Sequence, residues 1–294
     1  MRAVSPQSHL RTSRGIIPER RDWAISNRRW PSFLAFGAAI RFQASRPSAQ
    51  GNANMDFRRP PVLAHQRFVA DRASFEGLDL ASRFDRIVRT NMWGAETSVS
   101  GLGSGDTATA AVQEVLPDLL DRIGAQSLLD APCGDAGWIR DCALGASYTG
   151  MDIVPSLIAA NTAQAERGEF AGRFLVADMT KDVLPYADVI LCRDCLVHLS
   201  FANIHRATER MHASGARWVI ATTFPEWEIN HDCEDGDWRA LNLQRPPFCW
   251  PAPQEMINER CTEGGGGWSD KSLGLWRLSD LLLGPHARQT RMSP

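Results

Sequence analysis

Apolar residues recur at helical spacing in two stretches before residue 125. The first, residues 62–92, predicts a helical region. The second predicts a helix that Asp106 or Thr107 caps at its start and that Gly124 ends as the left-handed residue beyond the last turn. The small-residue stretch between them, residues 98–105, predicts a loop.

From residue 127 onward, short apolar runs alternate with segments of helical spacing. Residues 132–137 predict a tight turn that leads into a helix. Two further helices are expected, one from Pro155 to about Gly168 and one from about Ser200 to Ala213. This alternation predicts a parallel sheet with helices on both faces. The five runs that predict strands are 127–131, 148–152, 174–178, 188–192 and 218–223.

The chain changes character after Pro225. Residues 226–255 are rich in proline, tryptophan and acidic residues and show no helical period. A coil of about 30 residues is uncommon unless it binds something, so the segment is a candidate binding loop. Residues 256–262 and 272–278 then predict a β-hairpin around the four glycines 264–267.

Charge and composition exclude several classes of partner. The 294 residues carry a net charge of −2, but residues 1–54 hold nine arginines against two acids, which leaves the remainder at −9. An acidic body argues against a nucleic-acid partner, because phosphate binding needs Lys and Arg. No run reaches the roughly 18 apolar residues that a membrane span requires. Seven scattered cysteines, an odd number, favour a reducing cytoplasm over a disulfide framework.

Residues 1–54 lack sustained periodicity and are rich in Arg, Ser and Pro, so we expect them to be disordered. Two alternatives stay open. Arg28 and Arg29 followed by the apolar residues 33–40 faintly resemble a twin-arginine export signal. Met55 is a second possible start of translation.

Three predicted strands end in an aspartate. Asp130, Asp152 and Asp178 are separated by 22 and 26 residues, and the Gly134 turn follows the first. Because open α/β sheets bind ligands at the carboxyl ends of their strands, these side chains predict a ligand site. A single aspartate of this kind usually only ends a strand or caps a helix, but three in register with a glycine turn favour binding.

These residues resemble motifs I, II and III of class I S-adenosylmethionine (SAM) methyltransferases. A narrower resemblance is to a bacterial group that carries LLDAPCGD, CRDCLVHL and ATTFP, here Leu128–Asp135, Cys192–Leu199 and Ala221–Pro225. The resemblance covers about residues 93–282. It implies a Rossmann-like α/β fold with a seven-stranded sheet, whose antiparallel last strand comes from the C-terminal hairpin. The chain departs from motif I at Pro132 and Ala136, where the family has glycine.

The resemblance also implies SAM as the cofactor and a role for each matching residue. Asp152 would accept hydrogen bonds from the ribose hydroxyls and Asp178 from the adenine amino group, while Ile153 and Met179 would enclose the adenine ring. Gly101 and Gly103 are candidates to close over the methionine end. The predicted cofactor-binding residues are Asp130, Gly134, Asp135, Asp152, Ile153, Asp178, Met179 and Arg193.

Methyl transfer needs a base only when the acceptor is a hydroxyl or a protonated amine. Asp194 and His198, just past the fourth strand, are the predicted catalytic residues. The alternative is that Asp194 caps a helix and that His198 is a packed or exposed histidine. We expect a small-molecule acceptor in a pocket built from residues 226–255 and the N-terminal helices. As an alternative, that segment only covers the sheet. The predicted acceptor contacts are Asp237, Trp238, Arg239 and Asn242.

Other functions fit the sequence less well. A nicotinamide-dependent oxidoreductase needs G-x-G-x-x-G after the first strand, and this chain has only Gly134-x-x-Gly137. A catalytically inactive SAM-fold binding protein is a further alternative. Cys192, Cys195 and His198, with His231 and Cys233, have partial zinc-ligand spacing, but a cysteine that ends a buried strand is more typical of a core, so no metal is predicted. The expected division is an extension (1–54), a helical cap with a cofactor-closing loop (55–105), a SAM-binding core (106–225) and an acceptor loop with hairpin (226–294).

Overall fold

The computed structural model describes residues 59–95 and 98–281. All of them belong to one compact unit. The predictions of disorder, export and an alternative start in residues 1–54 lie outside the described ranges.

Residues 62–92 are largely helical, as predicted, and form two helices with a 3₁₀ turn between them. Gly77 has φ of +73°, a left-handed conformation that cannot continue a helix. Asp79 then starts the second helix by accepting a hydrogen bond from the Ser82 N–H at 2.8 Å. The elements are α1 (Leu63–Ala70), a 3₁₀ turn (Arg72–Phe75) and α2 (Leu80–Arg89).

Helix α3 (Asp106–Arg122) follows the predicted small-residue loop. Its start differs from the prediction: Gly105 is the N-cap and no side chain caps the helix, so Asp106 lies inside the first turn. Its end is as predicted. Gly124 has φ of +64°, and the Ala125 N–H donates to the Leu120 carbonyl at 2.9 Å, which is a Schellman motif.

Seven strands form one sheet. They are β1 (Ser127–Asp130), β2 (Ser147–Asp152), β3 (Arg173–Val176), β4 (Val189–Cys192), β5 (Trp218–Thr223), β6 (Glu255–Asn258) and β7 (Ser272–Arg277). The order is β3-β2-β1-β4-β5-β7-β6, with β1 to β5 parallel and β7 antiparallel to both of its neighbours. The Rossmann-like class I methyltransferase fold predicted from the sequence is therefore confirmed, including the hairpin that completes the sheet.

Helices cover both faces of this sheet. In β1, Leu128 faces α3 and Leu129 faces the opposite layer, which contains α5 (Phe201–Ala213). This alternation follows from the two-residue period of a strand. Helix α4 (Pro155–Glu166) begins with proline as predicted and packs beside β2 and β3.

Two connections shape the site. The helix predicted after residues 132–137 is absent: residues 131–146 form turns, because Gly134 and Ala136 both have positive φ and bend the chain. Residues 224–254 are coil, as predicted, and are anchored by buried side chains that include Leu241, Leu243 and Trp250. No helix within the described ranges is long and apolar enough to cross a membrane.

Candidate functional site

A large cleft of about 930 Å³ opens at the carboxyl ends of β1, β2 and β4. This is the edge at which parallel α/β sheets bind ligands. Of the predicted cofactor residues, only Asp135 is not part of its lining. The cleft is lined by Asp130, Gly134, Asp152, Ile153, Asp178, Met179 and Arg193, together with apolar side chains from α2 and Trp93.

Asp152 fixes the turn after β1. Its Oδ2 accepts a hydrogen bond from the Gly134 N–H at 3.0 Å, and its Oδ1 accepts one from the Val154 N–H at 2.9 Å. Burial raises the pKa of this carboxyl to about 6, although those hydrogen bonds oppose the shift. The Ile153 N–H is a further backbone donor to this carboxylate. Since a carboxylate has about four acceptor sites, one remains for a ligand hydroxyl.

Asp130 places a second buried carboxyl in the same cleft. Its Oδ2 accepts a hydrogen bond from the Tyr148 hydroxyl at 2.8 Å. Burial raises the pKa of Asp130 to about 7 against the lowering effect of that bond. Carboxyl groups perturbed in this way inside a cleft are typical of functional sites.

Asp178 lies just beyond the end of β3. Its Oδ1 accepts hydrogen bonds from the Thr180 N–H and hydroxyl at 2.8 and 2.7 Å, which fixes its orientation at the cleft. Ile153 and Met179 line the same part of the chain's large cleft, each directly following its aspartate. Each of the two aspartates, and the apolar residue that follows it, therefore lines one cavity. Enclosure of an adenine ring between Ile153 and Met179, as predicted, requires this.

Residues 98–104 form a loop that rests on the Gly134 turn. Ser98 Oγ donates to Asp135 Oδ2 at 2.7 Å, and the Asp135 N–H donates to Ser100 Oγ at 3.0 Å. Asp135 thus holds the loop. A Cβ on Gly134 would lie 2.2 Å from Ser100 Oγ, and Gly134 also has φ of +55°, so both space and conformation require glycine here.

Four charged side chains meet behind this loop. Lys271 Nζ lies 2.6 Å from Asp194 Oδ2 and 3.6 Å from Glu259 Oε2. Arg193 donates to Glu259 Oε2 from Nε and Nη2 at 3.0 and 2.5 Å, and to the Gly103 carbonyl at 2.7 Å. Burial of Asp194 raises its pKa, but Lys271 and Arg193 lower it more, to about 2. Asp194 is therefore ionised at any working pH.

Sequence reasoning missed Glu259 and Lys271. Both come from the C-terminal hairpin, 66 residues from Arg193 and 77 residues from Asp194 respectively. Only the position of β7 beside β5 brings them to the site. One signal existed: the chain has two lysines among 32 basic residues, and one of them interrupts the apolar hairpin.

A side cleft of about 550 Å³ joins the large cleft. Trp93, Ser100, Asp194 and His198 line both cavities, so the two predicted catalytic residues stand at the junction. Other walls of the side cleft are aromatic. They comprise Phe224, Trp238 and Trp268, whose ring centroids lie 4.9–5.9 Å apart in edge-to-face contacts.

His198 is held on two sides. The Trp93 ring stacks on it at 4.5 Å between centroids, and its Nδ1 lies 2.8 Å from the backbone carbonyl oxygen of Asp237. Burial lowers the pKa of His198 to about 4, so the imidazole is neutral near pH 7.

Of the predicted acceptor contacts, Trp238 lines the side cleft and the other three hold the coil in place. The Asp237 carboxylate lies 2.8 Å from His65 Nδ1 of α1. The remaining two residues donate to backbone carbonyls: Arg239 to those of His231, Leu196 and Leu199, and Asn242 to those of Pro225 and Trp227.

The cysteines near β4 are packed as core residues. Cys195 Sγ lies 3.4 Å from Met179 Sδ, and Cys192 is fully buried at the end of its strand. Among residues 59–95 and 98–281, no three His, Cys, Asp or Glu side chains are placed to hold a metal ion.

Part of the chain is similar to one known protein family. Residues 128–214 match the model of a methyltransferase domain. The match runs from β1 through α5 and so includes the strand-end aspartates, Asp194 and His198. No curated protein matches the sequence.

Several solved structures share part of the fold. A protein from Pyrococcus horikoshii OT3 is 19% identical over 41% of this chain, with a TM-score of 0.34, and the chain covers 61% of it. The N-methyltransferase NodS from Bradyrhizobium japonicum WM9 is 14% identical over 59% of the chain and 98% of NodS, with a TM-score of 0.45. Magnesium protoporphyrin IX methyltransferase from Synechocystis PCC 6803, solved with bound SAM, is 16% identical over 62% of the chain and 83% of that enzyme, with a TM-score of 0.35.

Proposed function

We propose that this protein is a SAM-dependent methyltransferase that acts on a small-molecule acceptor. The observation that carries the proposal is the meeting of two clefts at Asp194 and His198. The larger cleft carries the strand-end aspartates, and the smaller one combines aromatic walls with charged side chains. The similarity of residues 128–214 to a methyltransferase domain supports the same assignment.

The residues of the large cleft fit SAM chemically. The cofactor carries a sulfonium and an ammonium group, and the buried carboxyls of Asp130 and Asp152 suit a cationic ligand. A carboxylate with a free acceptor position also suits a ribose hydroxyl. The Gly134 turn presents backbone with no side chain, which allows close approach of a ligand.

When bound, SAM supplies a methyl group on a positively charged sulfur, so the protein's task is alignment and exclusion of water. Asp152 and Asp178 would hold the nucleoside end, and the loop of residues 98–104 would cover the amino-acid end. The aromatic walls of the side cleft would keep the acceptor dry and in line with the methyl group. His198 and Asp194 would accept hydrogen bonds from the acceptor at the junction.

Titration calorimetry with S-adenosylhomocysteine tests the proposal, alongside methyl transfer from radiolabelled SAM to a library of small molecules. We expect one molecule bound per chain, and Asp152→Ala to weaken binding by about 1–3 kcal/mol because ribose hydroxyls lose their acceptor. NAD in place of S-adenosylhomocysteine is the control ligand. Tight binding of NAD, or failure to bind S-adenosylhomocysteine, would refute the proposal, and binding without turnover would identify an inactive binding protein.

A further inference from the structure

The side cleft has the properties of a site for one chemical class of acceptor. We propose that the methyl acceptor is an amine nitrogen carried on a flat apolar body, with the amine at Asp194 and His198 and the body among the tryptophans. This inference rests on the methyltransferase function proposed above and extends it to the substrate.

The walls of the cleft determine the body of the acceptor. Trp93, Phe224, Trp238 and Trp268 line it, and the last three pack edge to face. Rings arranged in this way present both faces and edges to a guest, which suits a planar apolar group. Aromatic faces also attract cations. Trp268 already shows this property, because the Arg59 guanidinium lies 5.2 Å from the centroid of its ring.

The charges of the cleft exclude an anionic acceptor. Two carboxylates, Asp194 and Glu263, line it, and Lys271 is the one Lys or Arg among its lining residues. The Lys271 ammonium is shared by Asp194 at 2.6 Å and Glu259 at 3.6 Å. Arg193 also pairs with both carboxylates, so two cations balance Asp194 and Glu259. A carboxylate or phosphate on the acceptor would therefore face Glu263 with no cation left to pair with it, whereas an ammonium would be attracted.

The junction also favours nitrogen over oxygen. An alcohol or phenol must lose its proton as the new bond forms, which calls for a base with a pKa near the working pH. Asp194, with a pKa of about 2, and His198, with a pKa of about 4, are too weak for that task. Both are suited to accept hydrogen bonds from an N–H group.

The chemical steps balance for an amine. An arriving ammonium, with an ordinary pKa of about 10, loses one proton to water before the carbon–nitrogen bond forms, and the neutral amine donates a remaining N–H to His198 Nε2. The neutral nitrogen then donates its electron pair to the methyl carbon, and the carbon–sulfur bond breaks with its electron pair remaining on sulfur. Positive charge develops on nitrogen as the bond forms, and the ionised Asp194 carboxylate stabilises it. The methylated ammonium loses its proton to water after release.

A panel of matched compounds tests the inference. Tryptamine, tryptophol and indole-3-propionate share one body and differ in the end group; phenethylamine, 2-phenylethanol and 3-phenylpropionate form a second series. With saturating S-adenosylhomocysteine, we expect each amine to bind at least about tenfold more tightly than its alcohol and its acid, a difference of about 1.4 kcal/mol. With SAM, mass spectrometry should detect N-methylated product from an amine and no product from the others.

Variants separate the charges of the cleft from general effects. Asp194→Asn and Glu263→Gln should each reduce the preference for the amine to less than about threefold, since the attraction for the cation is lost. Glu263→Gln should retain its S-adenosylhomocysteine affinity, because Glu263 lines the side cleft and not the large one. Glu263 is half-buried at the cleft, so its substitution is informative even if Asp194→Asn fails to fold. Glu114→Gln removes the same charge from an exposed site outside the cleft and should leave the preference unchanged.

These measurements distinguish failure of the amine inference from failure of the methyltransferase proposal. If S-adenosylhomocysteine binds but the amines show no preference over both other end groups, or if methyl appears on oxygen, the amine inference is overturned and the methyltransferase function stands. If S-adenosylhomocysteine does not bind, the methyltransferase proposal falls and the amine inference falls with it.

Discussion

The imidazole of His198 donates to the main chain of Asp237. The distance from Nδ1 to the carbonyl oxygen is 2.8 Å, and because a carbonyl only accepts, Nδ1 carries the proton. The ring is neutral, since burial lowers its pKa to about 4, so Nε2 keeps its lone pair. Asp237 therefore sets the tautomer of His198 through its backbone, a role that its side chain does not reveal.

Two substitutions at His198 test this arrangement. Asn places an amide N–H near the position of Nδ1 but has no group at Nε2, whereas Gln places a polar group near Nε2. We expect His198→Asn to lower the methyl-transfer rate by about tenfold, because the acceptor loses the hydrogen bond to Nε2 that positions it, a loss of about 1.4 kcal/mol. His198→Gln should retain more of the rate.

Calorimetry with S-adenosylhomocysteine should show little change for either His198 variant. The exposed His231 is the control position, where substitution by Asn should have no effect. Equal rates for His198→Asn and the unaltered protein would mean that Nε2 takes no part in the reaction.

Asp152 predicts how cofactor binding depends on pH. Its raised pKa of about 6 means that the carboxyl is protonated below that pH and then offers the ribose fewer acceptor positions. The affinity for S-adenosylhomocysteine should therefore fall as the pH decreases from 8 to 5, by up to about tenfold per pH unit below the pKa. Asp130, with a pKa of about 7, adds to the same trend.

Calorimetry across this pH range, repeated on Asp152→Asn, measures the contribution of the one carboxyl. The variant cannot titrate at residue 152, so its affinity should vary less steeply with pH. An identical pH profile in the two proteins would show that Asp152 does not face the ligand.

Gly134 and Gly145 form a matched pair for testing the turn. Both have positive φ, of +55° and +65°, so alanine strains the backbone at either position. Only Gly134 has a close neighbour, with Ser100 Oγ 2.2 Å from the position of a Cβ. Gly134→Ala should therefore displace the loop of residues 98–104 and weaken S-adenosylhomocysteine binding by at least about tenfold, or about 1.4 kcal/mol.

Gly145→Ala, in contrast, should lower stability by about 1 kcal/mol and leave ligand affinity unchanged. Thermal unfolding and calorimetry on both variants separate strain from contact. Equal loss of affinity in both would show that the loop contact is not what binding requires.

The sequence predicted the sheet well because a strand-end aspartate and a short apolar run are local features. Asp130, Asp152 and Asp178 come to one edge because parallel strands end on the same side. The break between α1 and α2 was not predicted, since Gly77 lies within it and single glycines also occur inside helices.

The charged group around Asp194 could not be predicted from the sequence. Its partners Glu259 and Lys271 flank the glycine-rich tip of the hairpin, and their approach depends on the antiparallel register of β7 with β5 and β6. The roles of the polar residues in the coil of residues 224–254 could not be predicted either. Such a residue either contacts a ligand or hydrogen-bonds to the backbone, and the sequence around it is the same in both cases.

Substitution of Arg239 gives opposite results for these two roles, contact with a ligand and support of the backbone. The Arg239 guanidinium donates to the carbonyls of Leu196, Leu199 and His231 at 2.6–3.1 Å, and it lines neither cleft. Arg239→Ala would remove these three hydrogen bonds, two of them part-buried, at about 0.5–1.5 kcal/mol for each. We therefore expect a clear fall in melting temperature, with S-adenosylhomocysteine affinity retained by the protein that remains folded. Arg245→Ala, an exposed arginine of the same coil, is the control and should leave the melting temperature unchanged. If Arg239→Ala instead keeps its melting temperature and loses turnover, Arg239 contacts the acceptor, as its sequence context predicts, and the coil must rearrange when the acceptor binds.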